Sequence, residues 1–305
     1  MIVTKSLALQ KLNDHEAVAL PTETVYGLAG RIDSEKALKL IFKTKKRPFF
    51  DPLIIHVHSL EMAKKYCLNW PEVYTHLAKK FWPGPLTFIL KKNNLISPLI
   101  TSGLETVAIR LPQSPIMCEI IKELNCPLAA PSANIFKKTS PTLASHVLDE
   151  FNNSVSVVDG GKCLVGIEST IIDIQDQDIN ILRPGSINLE KLQEQLNTYS
   201  QKKYNVQYKE STVAPGQLNE HYRPSVPIHT YIQNEKYLER KYKNNEMWIV
   251  KDNATITARE LYQKFRQADQ KEISQFVVVI KNVDPSWDGV LDRLKKASSE
   301  FYFKK

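Results

Sequence analysis

The stretch EAVALPTETVYGL, residues 16–28, decides how the chain is read. Its short apolar run ends at Pro21, as a buried strand does when it delivers the next residues to a cleft. Those residues are Thr22, Glu23, Thr24 and Tyr26, hydroxyls and a carboxylate able to converge on a small polar ligand. A side-chain cap by Thr22 is the structural alternative. Further along, Asp33 or Ser34 caps a helix whose apolar positions Leu38, Ile41 and Phe42 recur at helical spacing. Pro48 stops this helix just after the basic cluster Lys43, Lys45, Lys46 and Arg47.

LIIHV (53–57), LTFIL (86–90), TVAIRL (106–111), SVSVV (154–158), STIIDI (169–174) and INIL (179–182) read as strands, with helices near 60–66, 72–80, 115–124 and 142–149. Residues 1–196 are therefore expected to form one mixed α/β domain. The polar stretch 197–227, with three prolines and little periodicity, reads as a linker. MWIV (247–250) and QFVVVI (275–280), with helices near 257–267 and 287–302, predict a second, small α/β domain over 228–305.

The 305 residues, 42% hydrophobic and 24% charged, have the composition of a folded chain longer than one comfortable core. Among only 10 glycines there is no GxGxxG and no GxxxxGK[ST], which excludes the dinucleotide fingerprint and the P-loop. The 41 Lys and Arg against 33 Asp and Glu leave a charge of +8, which favours anionic partners such as nucleotides or RNA, although a solvated lysine-rich exterior explains it equally well. The four cysteines form no CxxC pair, no leader pattern opens the chain, and no stretch is apolar for 18 residues. A cytoplasmic protein without a membrane partner is expected.

Several residues outside the first turn carry candidate chemistry. Lys45 and Arg47 supply cations where a triphosphate needs them when no P-loop is present. His56 and His58 share a strand face, but no third ligand stands at metal spacing, so no metal site is expected. Arg110, inside an apolar strand, needs either a ligand carboxylate or an internal acid. PLAAPSAN (127–134) places Ser132 and Asn134 at a strand exit, Glu168 and Ser169 precede one strand, and Arg183 follows another. No Ser-His-Asp or Cys-His order stands out. The residues by themselves indicate an anion-binding α/β protein.

PTETVYGL, KKRPFFDPLIIHV, FWPGPLTFIL, TVAIRLP, APSAN with SPT, ESTIID and LRPG stand in the order of the YrdC-like domain. With APGQLNEHYRP (214–224), ARELYQKFRQAD and DRLKKAS, nearly the whole chain resembles the two-domain L-threonylcarbamoyladenylate synthase family. The resemblance implies a YrdC-like mixed twisted sheet with flanking helices, followed by a small Rossmann-like α/β domain. It also implies a reaction of L-threonine, bicarbonate or CO2, and ATP with Mg2+, giving threonylcarbamoyl-AMP and pyrophosphate. The implied acceptors are tRNA-modifying threonylcarbamoyltransferase proteins, and tRNA itself is an implied contact.

Carried over by position, the resemblance puts Thr24, His56, Arg110, Ala130, Ser132 and Ser169 around threonine, and Arg47, Asp51, Thr106, Ser140, Arg183 and Tyr222 around ATP. Lys45, Arg47 and Arg110 are the implied catalytic charges. The chain departs from the family at Ala29 and Asp51, in the loop IFKKTSPT, and at Ala214. The linker motif is expected to close over the cleft, so Tyr222→Ala is expected to weaken nucleotide binding with little effect on melting. The alternative function is a non-catalytic RNA-binding protein of tRNA or ribosome maturation. A carbamoyl-transfer domain of hydrogenase maturation is disfavoured because its zinc-finger cysteines are missing.

Overall fold

The computed structural model describes residues 1–199, 202–210, 221–240, 242–243, 246–271 and 273–304. Among these residues, ten strands build one mixed sheet: β1 (Val18–Leu20), β2 (Gly27–Arg31), β3 (Ile54–His56), β4 (Leu86–Lys91), β5 (Thr106–Arg110), β6 (Leu128–Ala129), β7 (Ser156–Val157), β8 (Thr170–Gln175), β9 (Asp178–Arg183) and β10 (Asn205–Tyr208). Their order across the sheet is β10-β9-β8-β4-β5-β3-β6-β2-β1-β7. A second sheet is wholly parallel and runs β12 (Met247–Ile249), β13 (Phe276–Ile280), β11 (Ile228–Ile232), β14 (Glu300–Phe303).

Register in the large sheet brings distant sequence to one end. β3 and β5 run parallel with His56 opposite Arg110. β5 is antiparallel to β4, so Arg110 lies toward the start of β4, where Leu86 pairs with Thr170 at the start of β8. Arg183, at the end of β9, faces Ile171. One sheet end thus collects His56, Arg110, Ser169 and Arg183 from four segments spanning well over one hundred residues of sequence.

Local chemistry explains the surrounding helices. The Ser34 hydroxyl accepts the Ala37 N–H and starts helix Glu35–Lys45, which buries Leu38, Ile41 and Phe42 and ends at left-handed Lys46. Ser114 and Asn253 cap helices Pro115–Leu124 and Ala254–Gln270 in the same way.

Elsewhere the structure departs from the pattern reading. Helix Lys5–Asn13 and strands β2 and β11 are additions. The C-terminal helix stops at Ala297, and the aromatic run EFYF becomes β14 rather than continuing the helix to 302. Residues 205–208, in the stretch read as a linker, pair parallel with β9, and only Val206 of this edge strand is buried.

The two units share apolar contacts. Val25 and Ile167 beside the large sheet, together with Tyr222, belong to the core built by Ala258, Tyr262, Trp287 and Leu294 of the smaller unit. Gly289, in helix Asp288–Ala297, lies so close to Gly185 that a Cβ at position 289 would come within 2.6 Å of the Gly185 carbonyl oxygen. No described helix is long and apolar enough to cross a membrane.

Candidate active site

At the gathered sheet end lies a cleft of about 520 Å³, its open mouth included, lined on one side by Thr24, His56, Arg110, Ala130 and Ser132 and on the other by Arg47, Glu168, Arg183, His221 and Tyr222. Ser169 lies between the two groups, its hydroxyl 2.7 Å from that of Thr87.

The first side is built on the turn after β1. The Thr22 hydroxyl donates to the Val25 carbonyl at 2.6 Å and accepts the Thr24 and Val25 N–H groups, so the local cap expected of Thr22 exists without a helix behind it. The Thr24 hydroxyl in turn donates to that of Thr22 at 2.8 Å and accepts from Arg110 Nη1 at 2.9 Å. Arg110 also donates from Nε to the Gly84 carbonyl and meets Glu23 at 2.7 Å, an ionic contact without in-line hydrogen-bond geometry. Of the two readings open for Arg110, an internal acid is therefore present, and the guanidinium still faces the cleft. His56 is buried beside it. Desolvation, reinforced by the Arg110 charge, holds its imidazole down at about 3, so the ring is neutral at physiological pH.

The second side is cationic but moderated. Arg47 donates to the Asp51 and Pro52 carbonyls and pairs with the buried Asp51 carboxylate at 2.9 Å. Burial raises Asp51, against the opposing pull of Arg47. Arg183 donates to both the carbonyl and the hydroxyl of Ser169, each at 3.0 Å. Lys45 is fully buried, and its ammonium donates to the Ser132 and Asn134 carbonyls instead of facing the cleft. Desolvation, then the neighbouring Arg47, lowers its pKa well below the usual lysine value.

Glu168 reaches the cleft from just before β8. Ser140 donates to its Oε1 at 2.6 Å, while Tyr262 and Arg293 Nε of the smaller unit donate to Oε2 at 2.8 and 2.9 Å. Burial alone would raise this carboxyl. The Arg293 and Arg183 guanidiniums and the Ser140 bond outweigh it and hold the group at about 2.

Of the residues expected from sequence, Thr24, Arg47, His56, Arg110, Ala130, Ser132, Ser169, Arg183 and Tyr222 all line the one cleft. Ser140 stands behind Glu168, Asp51 stands behind Arg47, and Lys45 stands behind the 132–134 loop. Thr106 begins the strand that Arg110 ends, about 13 Å away along an extended chain, and does not line the cleft. The first seven residues of the linker motif, 214–220, lie outside the described residues.

His221 and Tyr222 are in place. The Arg223 N–H binds the Lys137 carbonyl and the Thr139 hydroxyl donates to the Tyr222 carbonyl. Tyr222 is 1% exposed and its φ is +62°. That burial overturns the expectation that Tyr222→Ala would leave melting unchanged, because a large buried ring is part of a core. Arg293 and Tyr262, which hold Glu168, were not singled out from sequence. The only sign of them there was the resemblance of DRLKKAS and ARELYQKFRQAD.

The Sua5–YciO–YrdC family model, described as telomere recombination, matches residues 10–185, and the threonylcarbamoyl-AMP synthase C-terminal domain matches residues 187–299. The chain is 35% identical to the threonylcarbamoyl-AMP synthase of Pyrococcus abyssi over 94% of its own length and 92% of that relative's. It is 40% identical to the enzyme of the same name from Bacillus subtilis, over 71% of this chain and 63% of that one. The crystal structure of Pyrococcus abyssi Sua5 complexed with L-threonine superposes with a TM-score of 0.86 at 31% identity, covering 99% of each chain.

Proposed function

Because the chain belongs to the Sua5–YciO–YrdC family and carries the C-terminal domain of threonylcarbamoyl-AMP synthases, we propose a specific division of labour within its cleft. The protein is an enzyme that makes threonylcarbamoyl-AMP for the modification of tRNA. L-Threonine lies at the side formed by Thr24, His56, Arg110, Ala130, Ser132 and Ser169, with Arg110 taking its carboxylate. ATP lies across Arg47, Arg183 and Tyr222, with Asp51 and Ser140 supporting from behind. Lys45 acts through the loop that its ammonium holds.

In this reading the neutral threonine amine either adds CO2 with release of a proton or condenses with bicarbonate with loss of water, giving a carbamate in both cases. A carbamate oxygen then bonds to the α-phosphorus as the bond to the β-phosphate oxygen breaks, and pyrophosphate leaves. Alignment and charge compensation are what this step requires of the protein. Arg47 and Arg183 offset the phosphate charge. Neutral His56 contributes polar contact without adding charge to the threonine side. Mg2+ enters with ATP as part of the substrate, bridging phosphate oxygens.

The observation that carries this reading is one cleft lined by three guanidiniums, those of Arg110, Arg47 and Arg183, together with the neutral polar groups of Thr24, His56 and Ser169. The division into 1–196, 197–227 and 228–305 goes with it, the middle segment lending residues 205–208 to the edge of the large sheet, as do a cytoplasmic location and tRNA-modifying acceptor proteins. Pyrophosphate release tests the proposal: it should require threonine, bicarbonate, ATP and a divalent cation together. ATP turnover that ignores threonine would overturn it.

A further inference from the structure

Arg293 is the largest wholly buried side chain among the described residues, and it belongs to the smaller unit, yet its contacts are at the cleft of the larger one. It donates to the Glu168 carboxylate at 2.9 Å and to the Glu168 carbonyl at 3.2 Å, and it binds the Pro184 carbonyl beside Arg183. Its guanidinium carbon also lies 5.2 Å from the centre of the Tyr222 ring. One side chain thereby grips three segments that meet at the nucleotide side.

Glu168 makes such a grip necessary. A carboxylate lining a cleft that must receive a polyphosphate repels it unless the charge is compensated, and in a buried site that repulsion is weakly screened. Asp292 sits next to Arg293 and shares its Nη1, so the guanidinium is held from both sides.

We propose that Arg293 is a positioning residue for the nucleotide half-site: it compensates the Glu168 carboxylate and seats the Tyr222 ring, so the small domain completes the cleft of the large one. This rests on the synthase reading above and assigns the small domain a role in that reaction without a ligand site of its own. Arg266 reinforces the same arrangement, donating to the Thr139 carbonyl from the small domain and pairing with Glu150 at 3.0 Å.

The full chain tests this by steady-state pyrophosphate release, with ATP and threonine varied separately. Arg293→Met should raise KM for ATP by about tenfold or more while KM for threonine stays within about twofold, as expected when one partner of a buried charge pair is lost. Adding Glu168→Gln should recover most of the ATP effect, because the uncompensated charge is then gone. Equal rises in both KM values, an unchanged KM for ATP, or no recovery in the double variant would overturn the role.

If Arg293→Met does not fold by thermal melting, Arg293→Lys takes its place. It keeps the charge but not the two-pronged grip, so KM for ATP should rise about threefold or more with threonine unaffected, and parallel rises would count against the proposal. A wild-type protein without threonine-dependent turnover would defeat the synthase reading itself. Active wild type with indifferent variants would defeat only the role of Arg293.

Discussion

Arg110 and Glu23 form an ion pair 2.7 Å apart, with side chains 4% and 1% exposed, on the Thr24 side of the cleft. Arg110 is therefore both a structural partner and a candidate ligand contact, and the two roles separate by experiment. Arg110→Ala should destabilise the fold by about 3–5 kcal/mol, because it strands a buried carboxylate. It should also weaken threonine binding by about tenfold or more through the loss of charge-assisted hydrogen bonds. In Arg110→Ala with Glu23→Gln, melting should partly recover while threonine binding stays lost. Recovery of both in calorimetric titration would show that Arg110 never touched the ligand.

The close approach of Gly289 to Gly185 gives a test with an unusual sign. Gly→Ala inside a helix ordinarily stabilises by about 1 kcal/mol. Here the added methyl would meet the Gly185 carbonyl oxygen at 2.6 Å and its carbon at 2.8 Å, backbone that cannot yield without disturbing the junction between the two units. Gly289→Ala should instead lower stability by about 1–3 kcal/mol. A raised melting temperature would mean that the junction yields easily.

The acid response follows from two buried imidazoles and one carboxylate. His56 and His221 are both held at about 3 from an ordinary 6.5, chiefly by desolvation, which Arg110 reinforces for His56; for His221 Glu168 opposes it while Arg47, Lys45 and Lys296 reinforce it. The unfolded chain binds protons at these rings near pH 6.5 and the folded one does not. The stability they contribute is therefore complete above 6.5 and is lost as pH falls toward about 3. Glu168, held at about 2 against a usual 4.5, adds a further loss below 4.5. Unfolding free energy followed from pH 7 down to pH 4 should fall more gently in His221→Gln, by about 1.4 kcal/mol per pH unit. An unaltered slope would show that His221 is protonated in the fold.

These groups also mark how far the sequence could be read. β4 and β5 were legible because an apolar run bounded by turn residues has few other places to go, and helix Glu35–Lys45 was legible from its Ser34 cap and 3.6-residue spacing. β2 was not, because Gly27 and Gly30 dilute its pattern. Both are wanted for close packing: a Cβ at position 30 would touch Ile41 at 3.0 Å. In the site, residues on the large sheet could be named from their motifs because those motifs sit at strand ends. Arg293 could not. An arginine in DRLKKAS reads as part of a solvated charged face, and its burial depends on Glu168, 125 residues away, which no local pattern encodes.

Tyr222 carries the last prediction, because its two parts do different things. The ring is core: it lies 4.1 Å from the His221 ring, 5.8 Å and stacked on Tyr262, and beneath Arg293. The hydroxyl is buried at the cleft and has no hydrogen-bond partner among the described residues. A buried hydroxyl left in that state costs stability, and such groups persist where a ligand supplies the missing bond. The left-handed backbone at Tyr222, φ +62°, is a second local cost at the same residue. Tyr222→Ala removes both parts and should lower stability by about 3–5 kcal/mol through the lost ring, so its kinetics are hard to interpret. Tyr222→Phe removes only the hydroxyl. It should hold or slightly raise the melting temperature while weakening ATP binding about threefold to tenfold, the scale of one hydrogen bond to a charged group. Titration with a non-hydrolysable ATP analogue beside a melting curve reads both quantities. Full nucleotide affinity in Tyr222→Phe would leave Tyr222 as a wall of the cleft and remove it from the nucleotide contacts.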